Sequence, residues 1–211
     1  MSARERPILM SAPVVRALLA GTKTQTRRIV KHHITGPNPP GGFYDWHDKR
    51  TGAWVGAHGG NLKFNKTNAA VLCPYGGPGD RLWVRETWHS SPHFDCLYRA
   101  DYDDGARLAK VIAHGGWKSS IHLPRWASRI TLEITDVRVE RLQEISEADA
   151  IAEGIEPGSA RDFWKLYGRG ANGDMDRSPR IAYRSLWESL HGGGSWEANP
   201  WIWRIAFRRV S

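Results

Sequence analysis

The sequence is poor in cysteine and lacks long apolar runs. Its 211 residues include two cysteines, Cys73 and Cys96, which are too few for a disulfide framework, so a reducing compartment is expected. No apolar run approaches the roughly 18 residues that a membrane-spanning helix needs. Pro13 and Arg16 interrupt the apolar segment near the N-terminus, which argues against a signal peptide. We therefore expect a cytoplasmic protein without a membrane partner.

Several motifs of nucleotide-binding and hydrolytic enzymes are also missing. The sequence has no G-x-x-x-x-G-K-[ST] phosphate loop and no G-x-G-x-x-G dinucleotide motif. The HGGG stretch at residues 191–194 lacks the accompanying G-x-S-x-G element of esterases, and a glycine stop after a helix explains it better. Cys73, His89, His93 and Cys96 match no standard zinc spacing. No metal and no other cofactor is expected.

The sequence is rich in positive charge and in tryptophan. It has 30 Lys and Arg against 22 Asp and Glu, a net charge of +8, which favours a polyanionic partner such as nucleic acid through its field and counterion release. Eleven tryptophans are more than a core of this size usually needs, and exposed indole rings can stack on nucleic-acid bases.

Hydrophobic spacing and capping residues predict three short helices. Their bounding residues are Ser11 and Gly21, Ser146 and Gly154, and Ser178 and Gly192. Period-two alternation predicts strands over residues 81–88, 95–101, 129–142 and 200–210. The apolar parity changes between Ile134 and Val137, so a bulge or sharp bend is expected near Thr135 and Asp136. Because small barrels close through such bends, we expect a compact α+β barrel.

The length is sufficient for one core-bearing domain over residues 1–211. Residues 31–72 show no sustained period, and residues 156–178 are glycine-rich. We interpret both as insertions, the first with a hairpin around Trp46 and Trp54.

The stretch GTKTQTRR at residues 21–28 follows the first predicted helix. Lys23 and Thr26 are close enough for one turn to bring an amine and a hydroxyl together. A desolvated lysine beside Arg27 and Arg28 has its charged form disfavoured. A neutral lysine can take a proton from a threonine hydroxyl and make it a nucleophile. From the residues alone, a stretch of this kind is more often a solvated or RNA-touching basic loop.

Two glutamates stand at unusual positions. Glu86 shares a predicted strand face with Trp88, and a buried carboxylate there either pairs with an arginine or serves a site. Glu153 is the last residue before the helix stop at Gly154, where the helix dipole disfavours a carboxylate. It is either a functional proton donor or a solvated residue at the helix end.

Taken together, four segments resemble the ASCH domain family, a PUA-like family of small β-barrels linked to RNA. They are GTKTQTRR after the first helix, PGDRLWVRE at 78–86, EADAIAEGI at 147–155 and PWIWRIAFRR at 200–209. The resemblance covers about residues 7–30, 74–101, 124–155 and 180–210. The amino-acid sequence of residues 124–155 is similar to that of ASCH proteins carried by bacterial prophages. It implies an α+β fold in which short helices and loop insertions flank a small PUA-like β-barrel.

Some small bacterial members of that family are amidohydrolases that remove the acyl group from N4-acetylcytidine. The resemblance implies that Thr26 attacks the amide carbonyl with help from Lys23, while Glu153 orients the substrate or protonates the leaving amine. It further implies pocket-wall roles for Arg28, Glu86 and Trp88.

This chain is considerably longer than those enzymes because of its insertions, which leave the natural substrate open. Other ASCH proteins are thought to bind RNA, and ribonuclease activity has been attributed to the family. The alternatives to amide hydrolysis are therefore an RNA-binding module without catalysis and a ribonuclease. The expected partner is a modified nucleoside or RNA.

Overall fold

A computed structural model of the chain describes residues 3–30, 43–48, 53–58, 73–91, 94–102, 115–168 and 173–211. The helices are α1 (Ala12–Leu19), α2 (Glu147–Ala152) and α3 (Pro179–His191). Each follows its predicted N-cap serine, and the Ser146 hydroxyl accepts a hydrogen bond from the Asp149 N–H at 3.1 Å. The three predicted helices are confirmed.

The strands form one main sheet and three two-stranded hairpins. They are β1 (Glu5–Leu9), β2 (Gln25–Ile29), β3 (Phe43–Asp48), β4 (Ala53–His58), β5 (Arg81–Arg85), β6 (Trp88–Ser91), β7 (Phe94–Tyr98), β8 (Thr131–Arg141), β9 (Trp164–Lys165), β10 (Met175–Asp176) and β11 (Trp201–Arg209). The hairpins are β3–β4, β6–β7 and β9–β10. The hairpin expected around Trp46 and Trp54 is confirmed by β3–β4, while the remainder of 31–72 lies outside the described residues.

The expected closed PUA-like barrel is wrong. The main sheet is open, with the order β1-β5-β8-β11-β2. The β1–β5 pair is parallel, and the β5–β8, β8–β11 and β11–β2 pairs are antiparallel. In the part of the chain that is described, no ladder joins the edge strands β1 and β2. A side chain bridges that gap instead, because an Arg28 Nη donates to the Leu9 carbonyl at 2.8 Å.

The bend predicted in β8 is confirmed as a bulge. Ile134 pairs with Phe207 of β11 and Asp136 pairs with Ala206, so Thr135 is the extra residue. The bulge lets Ile134 and Val137 both enter the same buried cluster despite their opposite parity. The bend is therefore present without the closure that it was expected to produce.

The continuous strand predicted over residues 81–88 is also wrong. β5 ends at Arg85, and β6 begins at Trp88 and pairs with β7 instead of the main sheet. Glu86 and Trp88 therefore belong to two different pieces of structure. The main sheet itself packs against one cluster centred on Leu82, Leu132 and Trp203.

A second cluster surrounds α2 and α3 and includes Ile145, Tyr183, Trp187 and Ile202. Since Trp203 and Ile202 are neighbours on β11 but belong to different clusters, β11 separates the two cores. None of the helices described is long and apolar enough to cross a membrane.

Candidate functional site

A pocket of about 150 Å³ opens where the two cores meet. Its wall comes from the end of β1 and the start of α1, from the loop before β2 and β2 itself, from the end of α2, and from one face of α3. Its lining includes Lys23, Thr26, Arg28 and Glu153. Four of the six residues predicted from the sequence therefore line one pocket.

The loop that carries Lys23 is held at both ends by backbone hydrogen bonds. The N–H groups of Thr22 and Lys23 donate to the Ala17 carbonyl at 3.0 and 3.1 Å, where α1 ends. The Thr24 N–H donates to the Ala152 carbonyl of α2 at 2.9 Å. The loop therefore connects α1 to α2, which sets the position of Lys23 against the C-terminal end of α2.

Lys23 and Glu153 form a buried ion pair. Lys23 Nζ lies 3.0 Å from Glu153 Oε2 and 2.8 Å from the Glu153 carbonyl oxygen. The two side chains are 3% and 4% exposed. An ammonium at this position also satisfies a carbonyl at the negative end of α2. Glu153 lies at the helix end as predicted, but it is buried there, so the solvated alternative is wrong.

Gly154 allows this close approach. It has a φ of +81°, and a Cβ at this position would lie 2.8 Å from Ala17 Cβ and 2.9 Å from Lys23 Cβ. No side chain fits in that space, and the left-handed conformation itself disfavours residues other than glycine. The glycine predicted to end the helix therefore also brings Glu153 to Lys23.

Arg27 completes the network on the other side of Glu153. One Arg27 Nη donates to Glu153 Oε1 at 2.9 Å, and the other donates to Glu140 Oε1 at 2.7 Å. The second Nη is also 3.4 Å from an Asp149 carboxylate oxygen. Because both oxygens of Glu153 accept hydrogen bonds from cations, its charge is matched twice. Lys23, Thr26 and Arg27 are all buried, which excludes the solvated basic loop for these three residues.

Burial and nearby charges shift the pKa values of Lys23 and Tyr183 in the pocket. Burial lowers the pKa of Lys23, the Glu153 carboxylate opposes that change, and the charges of Arg28 and Arg27 add to it. Burial also raises the pKa of the Tyr183 phenol well above its usual value, and the nearby Glu153 charge acts in the same direction. Both shifts favour the neutral form of the side chain.

Thr26 lines the same pocket, but no hydrogen bond joins it to Lys23. It lies on β2 opposite Ile205 of β11 and is 5% exposed. Among the described residues, none hydrogen bonds to its hydroxyl, and the Lys23 ammonium donates to Glu153 instead. The hydroxyl is thus left without a protein partner in the pocket.

Glu86 and Trp88 do not lie in this pocket. Arg129 binds both carboxylate oxygens of Glu86, with Nε 2.9 Å from Oε1 and an Nη 3.0 Å from Oε2. Arg129 also pairs with Asp101 at 2.7 Å. The pairing of Glu86 with an arginine is confirmed, and Glu86 is not among the residues that line this pocket.

Trp88 is buried in a separate cluster with Leu123 and Ala127. Its ring contacts that of Trp126 edge-on, with 6.4 Å between the ring centroids. The break between β5 and β6 explains both displacements, since these residues leave the main sheet.

The sequence did not point to several residues of the pocket. Tyr183 and Trp187 are buried side chains of α3, and both line the pocket. The Trp187 indole N–H is buried without a hydrogen-bond partner in the described structure. His191, at the end of α3, packs on the Trp187 ring with centroids 4.2 Å apart. The sequence signal for this part of the pocket is one polar residue, His191, at the end of the apolar stripe of the third helix. A single polar residue at that position is weak evidence for a site.

Among the described residues, no three or more His, Cys, Asp or Glu side chains form a group that could hold a metal ion. His93 lies outside the described residues.

Comparisons of the chain with protein-family models, with curated proteins and with solved structures found no match.

Proposed function

We propose that this protein is an ASCH-type amidohydrolase that removes the acyl group from an N4-acylated cytidine or a related modified nucleoside. The observation that carries the proposal is the buried Lys23–Glu153 pair, 3.0 Å between Nζ and Oε2, in the pocket that Thr26 also lines. The motif resemblance adds support from the sequence. The open sheet departs from the barrel of that resemblance, so the proposal depends on the site residues and not on the fold.

The chemistry begins with proton transfer inside the buried pair. Moving one proton from Lys23 to Glu153 gives a carboxylic acid and a neutral amine, the form of Lys23 that its burial favours. The amine takes the proton of the Thr26 hydroxyl as its oxygen attacks the amide carbonyl. Glu153 then gives its proton to the exocyclic nitrogen as the C–N bond breaks, which releases cytidine and leaves an acyl ester on Thr26.

Water completes the cycle. The Lys23 ammonium first passes its proton to the Glu153 carboxylate, which restores the neutral amine and the carboxylic acid. The amine then takes a proton from the water that attacks the ester, and Glu153 gives its proton to the Thr26 oxygen. The sum is one acylated cytidine and one water converted to cytidine and a carboxylic acid. In this mechanism Arg28, which lines the same pocket, stabilises the negative charge that develops on the carbonyl oxygen.

The direct test is incubation with N4-acetylcytidine, with cytidine and acetate quantified by chromatography. We expect the wild-type protein to release both in equal amounts. Thr26→Val keeps the size of the side chain and removes the nucleophile, so kcat should fall at least about 100-fold. Thr24→Val is the matched control, since Thr24 is exposed in the same loop and should leave kcat unchanged.

Two results would overturn the proposal. One is inactivity of the folded wild-type protein on a panel of N4-acyl cytidines with different acyl groups. The other is full activity in Thr26→Val, which would remove the nucleophile from the mechanism even if hydrolysis were observed.

A second candidate function is binding of single-stranded RNA, and an exposed aromatic surface favours it. Trp126 is 76% exposed in the short 3₁₀ turn Arg125–Ala127. The guanidinium groups of Arg125 and Arg85 lie 5.9 and 5.3 Å from the Trp83 ring centroid. Aromatic faces beside arginines suit base stacking. Affinity for an oligonucleotide should then fall steeply with salt and fall again in Trp126→Ala, and salt-independent affinity would exclude this function.

A further inference from the structure

A larger cavity of about 550 Å³ occupies the opening between the edge strands β1 and β2. It is lined by Pro7, Ile8 and Leu9 of β1 and by Arg28 and Ile29 of β2. We call it the seam cavity. It shares Leu9, Arg28 and His191 with the smaller pocket, so the two spaces adjoin. Its volume lies in the range of small-molecule sites, and it exists because the sheet does not close.

Among the described residues, the lining of the seam cavity contains cations and no acidic side chain. Arg28 and Arg85 line it together with Tyr75, His191 and apolar residues. A binding surface with positive charge and no carboxylate selects an anionic ligand.

Neither arginine is neutralised within the described residues. Arg28 donates one Nη to the Leu9 carbonyl at 2.8 Å, and its Nε is buried without a partner. Arg85 donates to the backbone carbonyls of Leu123, at 3.2 Å, and Ile121. Carbonyl oxygens orient a guanidinium but do not cancel its charge.

Arg27 provides the contrast inside the same strand. It forms ion pairs with Glu140, Asp149 and Glu153 at 2.7, 3.4 and 2.9 Å. The charge of Arg28, by comparison, reaches the cavity: together with burial, it lowers the pKa of His191, which lines the same space. The adjacent residues Arg27 and Arg28 therefore differ, because carboxylates match the charge of Arg27 whereas, within the described residues, none pairs with Arg28.

We propose that the seam cavity binds the phosphate of a nucleotide, with Arg28 and Arg85 as its ligands, so that the protein binds a nucleotide more tightly than the free nucleoside. Guanidinium groups recognise phosphate oxygens through paired, charge-assisted hydrogen bonds. The smaller pocket beside Lys23 then receives the acylated base. The choice of a cytidine base rests on the proposed function, whereas the phosphate site rests on the cavity and its charges.

The test compares the binding of cytidine 5′-monophosphate and of cytidine by isothermal titration calorimetry. We expect the phosphate to tighten binding to the wild-type protein at least about tenfold. Arg28→Gln and Arg85→Gln should each remove most of that difference. Arg208→Gln is the matched control, because Arg208 is exposed, pairs with Glu133 at 3.0 Å and lines neither cavity. Inorganic phosphate should compete with the monophosphate.

Equal affinity of the wild-type protein for cytidine and its monophosphate would overturn the proposal without any variant. A cytidine dinucleotide without a terminal phosphate has its only phosphate between two nucleosides, so it distinguishes a mononucleotide ligand from a nucleic-acid strand. Weaker binding than the monophosphate supports a mononucleotide, and tighter binding overturns it in favour of a strand. No hydrolysis is required for these measurements, so inactivity on N4-acetylcytidine would refute the proposed function and leave the phosphate site standing.

Discussion

The Lys23 ammonium lies 3.0 Å from the Glu153 carboxylate across 130 residues of sequence. The contact ties the loop after α1 to the C-terminal end of α2, and both partners are buried. A buried pair is held in place by its surroundings, since either charge alone would be costly there. The ion pair is therefore a structural element of the pocket as well as the proposed source of its reactivity.

Lys23→Ala should lower the free energy of unfolding by about 3 kcal/mol, because it leaves Glu153 buried with one cation instead of two. Urea denaturation measures the change. Lys165→Ala is the control, since Lys165 also lies 3.0 Å from a glutamate, Glu156, but its side chain is 49% exposed. That exposed pair should contribute less than about 1 kcal/mol. Equal losses in the two variants would contradict the burial argument.

Gly154→Ala should destabilise the protein and lower its activity. Its Cβ would meet Ala17 and Lys23 at under 3.0 Å. The comparison is Gly192→Ala, at a glycine that also ends a helix with positive φ but has no atom within 4 Å of its Cβ position. Gly192→Ala should cost about 1 kcal/mol from backbone strain, and Gly154→Ala about 1–3 kcal/mol more from overpacking.

Thermal denaturation of both glycine variants gives the difference. Equal stabilities would mean that the chain relaxes around the added methyl group, and the argument for a required close approach at Gly154 would fail.

Asp149 should make the stability depend on acid pH. Burial opposes its ionisation, but hydrogen bonds from Gln25 and Ser146 and the charges of Arg204 and Arg27 together lower its pKa to about 2. Because its pKa is lower in the folded protein, the ionised Asp149 carboxylate stabilises the fold at pH values above its ordinary pKa of 3.8. That contribution is lost as the pH falls from about 4 towards 2.

The measurement is the free energy of unfolding between pH 5 and pH 2. Asp149→Asn should show a shallower decline than the wild-type protein, while Asp162→Asn, at an exposed aspartate, should keep the wild-type slope. Parallel curves for all three proteins would show that Asp149 does not contribute.

Glu86→Gln should weaken the fold without changing catalysis. The substitution removes the negative charge that Arg129 binds at 2.9 Å, and we expect a loss of about 1–3 kcal/mol in stability. Because Glu86 does not line the pocket, kcat/KM for N4-acetylcytidine should stay within about twofold of wild type. A large fall in kcat/KM at unchanged stability would place Glu86 in the site after all.

Local signals in the sequence specify the three helices of this protein and the bulge in β8. Serine caps and terminal glycines marked all three helices, because these residues satisfy or end a helix using only their own neighbours. The parity change between Ile134 and Val137 located the bulge in β8 for the same reason, since alternation along a strand is a local property. The sequence also places Glu153 at the end of α2, before Gly154.

How these strands and helices pack against one another depends on contacts between segments that are distant in sequence. No local pattern states whether β1 and β2 pair, so the open sheet and the seam cavity between its edges could not be predicted. The ion-pair partners of Glu86 and of Arg27 are likewise distant in sequence. Only those partners show that Glu86 belongs to a structural ion pair, whereas Arg27 belongs to the network at the pocket. Sequence alternation gives the face of a side chain, whereas its burial and its charge partner depend on packing between segments far apart in the chain.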